Sequence, residues 1–136
     1  MRIILCLDDN GGMTFNNRRQ SRDRVLIDDI FATVGEGRLI IAPFSQKLLS
    51  DRTEAYTVDD DMLDNARCED YCFIEDRGVS KHSSRVDEVV IYRWNRVYPA
   101  DTYFDMDLNA GGFKLVKAYE FEGSSHEKIT KEIYTR

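Results

Sequence analysis

Near the start of the chain, apolar residues run unbroken through Ile3-Ile4-Leu5-Cys6-Leu7, which suits a strand covered on both faces better than one half exposed to water. Arg38-Leu39-Ile40-Ile41-Ala42 and Tyr71-Cys72-Phe73-Ile74 read as further buried strands, with a shorter one at 55–58. Helical patterns lie between them. Leu26, Ile27, Ile30 and Phe31 form an apolar stripe; Ser21 is a good N-cap, the helix is expected to reach about Ala32, and Gly35 and Gly37 stop it. The segment after Pro43 predicts a short helix through Leu49. Asp59-Asp60-Asp61 favours another start by placing negative charge at the positive end of a helix, with Met62, Leu63 and Ala66 as its apolar positions. Strands alternating with helices predict crossover units and a largely parallel sheet. The last third changes character: 89–97, 113–121 and 127–134 are strand-like, and Gly123-Ser124-Ser125 joins the last two into an antiparallel hairpin. Asp8 to Gly12 carries turn chemistry, followed by a polar loop through Asn16, Asn17, Arg18 and Arg19.

The chain of 136 residues is long enough for one domain, 1–136, with a core that needs no staples, and 42% hydrophobic against 32% charged residues is a normal globular balance. A formal net charge of −6 opposes nucleic-acid phosphates and anionic membrane surfaces, so nucleic acid is a poor partner and a basic protein a better one. No apolar run approaches the roughly 20 residues that span a bilayer, and the start lacks a signal-peptide layout, so a cytoplasmic protein is expected. Cys6, Cys68 and Cys72 are an odd, sparse set, which argues against a disulfide framework. Cys68 and Cys72 lack tight metal-ligand spacing, and His82 and His126 lie in polar stretches, so no metal is expected.

Asp23 is the first candidate for chemistry. It lies three and four residues before Leu26 and Ile27, on the apolar face, and a carboxyl there is costly unless it is neutral, hydrogen-bonded or paired. It is either a functional acid with a shifted pKa or a helix-start acid paired with an arginine. Arg18, Arg19, Arg22 and Arg24 surround the same helix start, where free N–H groups favour anions; Arg18 and Arg19 precede the cap and can fold over a pocket, whereas Arg22 and Arg24 read as solvated. Asn17 from the polar loop and Tyr92 join these two arginines as ligand-lining candidates. Tyr92-Arg93-Trp94-Asn95-Arg96 interleaves aromatics with arginines, as base-stacking surfaces do, although half of the pattern is also what packing in a strand would give. The acidic runs at 59–61 and Glu75-Asp76 read as solvated surface.

With these elements placed, the chain resembles the dihydrofolate reductase family. Ile3-Ile4-Leu5 followed by Asp8, Gly12 and Met13 looks like that family's first strand and mobile loop, and Asp23 falls where the family carries its active-site acid. Asp87-Glu88-Val89 and Asp101-Thr102-Tyr103-Phe104 look like its Asp-Thr-x-Phe region, and Ser125-His126 leads into a strand like its closing hairpin. The resemblance implies an α/β fold: a twisted, mostly parallel sheet flanked by helices, with an antiparallel C-terminal hairpin. The chain is shorter than typical members, chiefly at 45–58, so one strand or loop is expected to be missing. It also departs where the family holds its cofactor. Glu75-Asp76 stands where a Gly-Gly pair lets backbone approach the cofactor phosphates, Ala42-Pro43 and Ser45 replace a Gly-Arg followed by Thr, and Asn17-Arg18 replaces a Pro-Trp. No clear counterpart remains for the arginine that grips the folate tail.

Three readings follow. In the first, a small polar or anionic ligand binds beside Asp23 and the Arg18/Arg19 loop without a nicotinamide cofactor. In the second, the chain is a working NADPH-dependent reductase using different contacts. In the third, it is a non-enzymatic, immunity-type inhibitor whose acidic surface meets a basic partner. A functional Asp23 would tolerate Asp23→Asn with its fold intact, whereas a structural one would not.

Overall fold

A computed structural model describes all 136 residues. The chain runs β1 (Arg2–Leu7), β2 (Gly12–Phe15), β3 (Arg18–Arg19), α1 (Arg24–Val34), β4 (Leu39–Ile41), β5 (Thr57–Val58), α2 (Met62–Asn65), β6 (Tyr71–Ile74), β7 (Glu88–Arg93), β8 (Thr102–Tyr103), β9 (Lys114–Phe121) and β10 (Ile129–Thr135), with 3-10 turns at Pro43–Leu49 and Ser80–Arg85. Seven strands form one sheet in the order β5-β4-β6-β1-β7-β10-β9. The five from β5 to β7 are parallel, while β10 pairs antiparallel with both β7 and β9.

The sheet is covered on both faces, which is why its central strands carry no polar alternation. Ile3, Leu5 and Leu7 of β1 share one face with Cys72 and Ile74 of β6 and Val89 and Ile91 of β7, and pack with Met62 and Leu63 of α2. On the other face Ile4, Phe73, Val90 and Tyr92 meet Leu26, Ile27, Ile30 and Val34 of α1. Register keeps the faces aligned: Ile3 stands beside Cys72 on one side and Val89 on the other. The stretch 50–56 carries no strand, and β5 is only two residues long, in keeping with the shortened middle.

Two local expectations need correction. The helix cap is Asp23, not Ser21: the Asp23 side chain accepts the Val25 and Leu26 amides, and α1 runs on to Val34 before Gly35 ends it at φ 57°. The polar loop after β1 is instead a hairpin of β2 and β3, with β8 pairing on the far side of β2. Asn16 and Asn17 both take positive φ, 51° and 59°, the conformation that a two-residue type I′ turn demands and that asparagine tolerates. The Asn-Asn pair therefore marks the hairpin in the sequence, between Phe15 and Arg18.

The cysteines differ sharply in environment. Burial pushes the Cys72 thiol up to about 12, helped by the nearby Asp70 charge, and burial also raises Cys6, whereas Cys68 is exposed. Since the thiolate is the reactive form, an aromatic disulfide reagent is expected to titrate one thiol rapidly in the native protein and three in denaturant. A second fast native thiol would contradict this packing. No three His, Cys, Asp or Glu side chains converge to hold a metal ion, and no helix is long and apolar enough to cross a membrane.

Candidate functional site

Ligands of open α/β sheets bind outside the carboxyl ends of the parallel strands. In this chain that edge is crowded with its own polar groups, arranged in three networks.

The first centres on Asp23, which is buried at the start of α1. Its Oδ1 accepts the amides of Val25 (3.0 Å), Leu26 (3.2 Å) and Ser124 (3.0 Å). Its Oδ2 accepts the Ser125 amide (2.8 Å) and hydroxyl (3.2 Å) and lies 3.0 Å from His126 Nδ1. The β9–β10 connection thus folds over the helix start, closed by the Gly123 amide on the His126 carbonyl at 2.9 Å. Only glycine fits at 123, because a Cβ there would collide with the Asp23 carboxylate and approach Ile129 to 2.8 Å. Burial opposes ionisation, but the Ser125 and Ser124 amides, the His126 ring and the Leu26 amide overcome it and hold the carboxyl well below the usual carboxylate range.

Asp23 is therefore an acceptor only, so His126 Nδ1 carries the proton that bridges them. In the neutral ring Nε2 is then a lone-pair acceptor, and two hydroxyls face it: Ser21 Oγ at 3.0 Å and Tyr98 Oη at 3.1 Å. The imidazole stacks on Trp94, with centroids 4.5 Å apart and planes at 28°. Its polar sequence surroundings misjudge His126, which is buried at 6% exposure.

The second network corrects the expectation that Glu75 is solvated. Glu75 is 8% exposed, and Arg19 grips it with Nε to Oε2 and Nη2 to Oε1, both at 2.9 Å. The buried Ser45 hydroxyl adds a bond to Oε1 at 2.7 Å. Ser45 lies in the 3-10 turn after β4 and Glu75 follows β6, so this network bridges the carboxyl ends of two neighbouring parallel strands. Hydrogen bonding to Glu75 outweighs burial and raises Arg19 further. The neighbouring Asp76 pairs with Arg77 instead.

The third network holds the buried Asp8 at the end of β1. It accepts the Gly12 amide at 2.8 Å, the Asn10 amide at 2.9 Å, the Tyr98 amide at 3.0 Å and Gln20 Nε2 at 3.2 Å. Gln20 Nε2 also donates to the Pro99 carbonyl, which fixes the amide's orientation and leaves Gln20 Oε1 buried with no donor. Beside it, Phe15, Asn16, Arg18, Arg19, Gln20, Tyr98 and Pro99 line a cleft of about 540 Å³.

This geometry separates the candidates predicted from the sequence. Arg18 and Arg19 share the cleft, Arg18 exposed and Arg19 tied to Glu75; Asn17 is exposed at the hairpin tip, and Asn16 lines the cleft in its place. Asp23 reaches the cleft only through His126 and Tyr98. Tyr92 stands apart: fully buried, it donates its hydroxyl to Asp29 at 2.6 Å, within a cluster that includes Thr33 and Lys131. Trp94 is also buried, so neither aromatic of that segment offers a face for base stacking. Ser21, Glu75, Tyr98 and His126 are the residues that sequence reasoning missed. The sequence signals for His126 are its place three residues after a glycine in a hairpin connection and the likeness of Ser125-His126 to the closing hairpin of the reductase family.

The solved dihydrofolate reductase from Enterococcus faecalis, complexed with NADP(H) and RAB-propyl, superposes with a TM-score of 0.71 over 99% of this chain and 95% of its own, at 10% sequence identity. The fold is that of a dihydrofolate reductase. No family model matches the sequence, and no curated protein does. At this identity the likeness speaks for architecture alone. What the edge of the reductase fold does in this chain rests on its own side chains.

Proposed function

We propose that this chain uses the reductase fold to bind a small polar or anionic molecule in the 540 Å³ cleft beside Arg18, Gln20 and Tyr98, without a nicotinamide dinucleotide. The observation that carries this reading is the Arg19–Glu75–Ser45 network. A pyrophosphate between the ends of β4 and β6 needs bare backbone and positive charge. It would meet a buried carboxylate there, and the guanidinium beside it, that of Arg19, is already bound bidentate to that carboxylate. The residues present do not fit the group.

The cleft itself favours a different ligand. Arg18 supplies an exposed positive charge at its rim, beside the Tyr98 and Phe15 rings. A small anion suits that combination. The carboxylate of Asp23 is saturated by its own chain, so its part is to hold His126 rather than to touch the ligand.

A thermal-shift screen tests this reading. Small hydroxy acids and nucleoside monophosphates are the probes, and binding at one hundred times Kd adds about 2.7 kcal/mol to stability, a rise of several degrees. At least one should raise the Tm of the wild type and lose most of that effect in Arg18→Ala, while millimolar NADPH leaves the Tm unchanged. A comparable rise with NADPH would restore the reductase reading.

A further inference from the structure

The arrangement around His126 goes beyond ligand binding. We propose that Ser21, His126 and Asp23 form a nucleophile–base–orienter triad that gives this chain acyl-ester hydrolase activity toward small anionic esters. The three residues come from the segment before α1, the cap of α1 and the β9–β10 connection, and only the tertiary fold joins them. Their contacts run in the order that acyl transfer requires: Ser21 Oγ to His126 Nε2 at 3.0 Å, and His126 Nδ1 to Asp23 Oδ2 at 3.0 Å. Asp23 is a positioning residue. Locked by five further hydrogen bonds, it fixes the ring so that Nε2 is the basic nitrogen, and Trp94 stacking fixes the plane of the ring.

A hydrogen bond between a serine and a histidine is common, and the absence of competing structural work for Ser21 is what sets this one apart. Asp23 has taken over the helix cap, so the Ser21 side chain serves no backbone group, and Ser21 remains partly exposed while His126 is buried behind it. The residues on either side of Ser21 in the chain line two clefts. Gln20, its neighbour, lines the 540 Å³ cleft, and Arg22 on the other side lines a second cleft of about 460 Å³ with Arg24, Asp51, Arg52 and Glu54, in which Arg52 is paired with Glu54 and with Asp28. The guanidinium groups of Arg22 and Arg24 set the substrate class, since they attract an acyl group that bears its own carboxylate.

In the step, Ser21 Oγ attacks the ester carbonyl carbon as its proton passes to His126 Nε2, and Asp23 stabilises the imidazolium. The tetrahedral adduct collapses, breaking the bond to the leaving oxygen, which takes the proton from Nε2. Water then attacks the acyl-serine, gives its proton to Nε2, and Ser21 leaves with that proton restored. One ester and one water become one acid and one alcohol. Tyr98 Oη competes for the same lone pair of Nε2, so its removal should free the base.

The test compares hydrolysis of p-nitrophenyl acetate and p-nitrophenyl hemisuccinate by the full chain, with intact-mass analysis after treatment with a fluorophosphonate. The wild type should cleave both above the buffer rate, favour the hemisuccinate, and gain one adduct at Ser21. Ser21→Ala should lose the adduct and fall to the buffer rate with an unchanged Tm. His126→Asn, which keeps a donor near the Nδ1 position but lacks Nε2, should likewise lose the adduct and fall to the buffer rate. A wild-type rate equal to buffer with no adduct would overturn the proposal, as would turnover that survives Ser21→Ala. Anion binding lost in Arg18→Ala is measured separately, so failure here leaves the ligand reading standing.

Discussion

Asp23→Asn is expected to cost about 3 kcal/mol or more of stability at neutral pH, because hydrogen bonds to a charged group contribute about 1.5–3 kcal/mol each and more than one is lost. The carboxylate accepts bonds from six donors, and an asparagine can satisfy only those on Oδ1. Its amide would face the Ser125 N–H and His126 Nδ1, donor against donor. Urea unfolding followed by the emission of Trp94, the sole tryptophan, should show a lower midpoint with an unchanged slope. The pH dependence adds a second signature. The folded-state pKa of Asp23 is depressed, so its contribution is fully present above the unfolded value, about 3.9, and is lost as pH falls toward the folded value. The gap between wild type and variant should therefore shrink below about pH 4. A variant as stable as the wild type at pH 7 would mean that the helix start and the β9–β10 connection are not held by this charge.

Arg19→Leu should be as damaging, by about 3–5 kcal/mol, because it strands Glu75 among buried neighbours with only Ser45 as a donor. Arg19→Leu with Glu75→Leu should recover most of that loss, since the pair's mutual attraction is largely spent on its own desolvation. The double-mutant cycle measures the coupling between the two residues directly. Additive single losses would show that the ion pair does not hold the ends of β4 and β6 together and that Arg19 is free to meet a dinucleotide phosphate there.

The sequence by itself determined the frame. Unbroken apolar runs marked β1, β4 and β6 because a strand buried on both faces needs no polar alternation, and the stripe of Leu26, Ile27 and Ile30 fixed the buried side of α1. Glycine and asparagine chemistry marked the turns, and the order of the elements carried the reductase resemblance. These are local properties, legible within a dozen residues. The position of Asp23 at a buried helix start was legible for the same reason.

Partnership was not legible, because it depends on which distant groups the fold brings within 3 Å. Arg19 and Glu75 are 56 residues apart and His126 and Asp23 are 103 apart, and nothing in either neighbourhood names the other. Glu75 looks solvated alone and Arg19 looks free to fold over a pocket, and only the seating of the β2–β3 hairpin against the end of β6 joins the two as an ion pair. Ser21 looks like a cap until Asp23 takes the role, and His126 looks like a surface residue of a polar connection until that connection folds onto α1. Tyr92 shows the same limit in reverse: the aromatic that seemed ready to meet a ligand is committed to Asp29, because strand alternation turns its ring into the core beneath α1. Periodicity decides which face is buried, whereas the identity of a charge's partner is settled only by long-range packing.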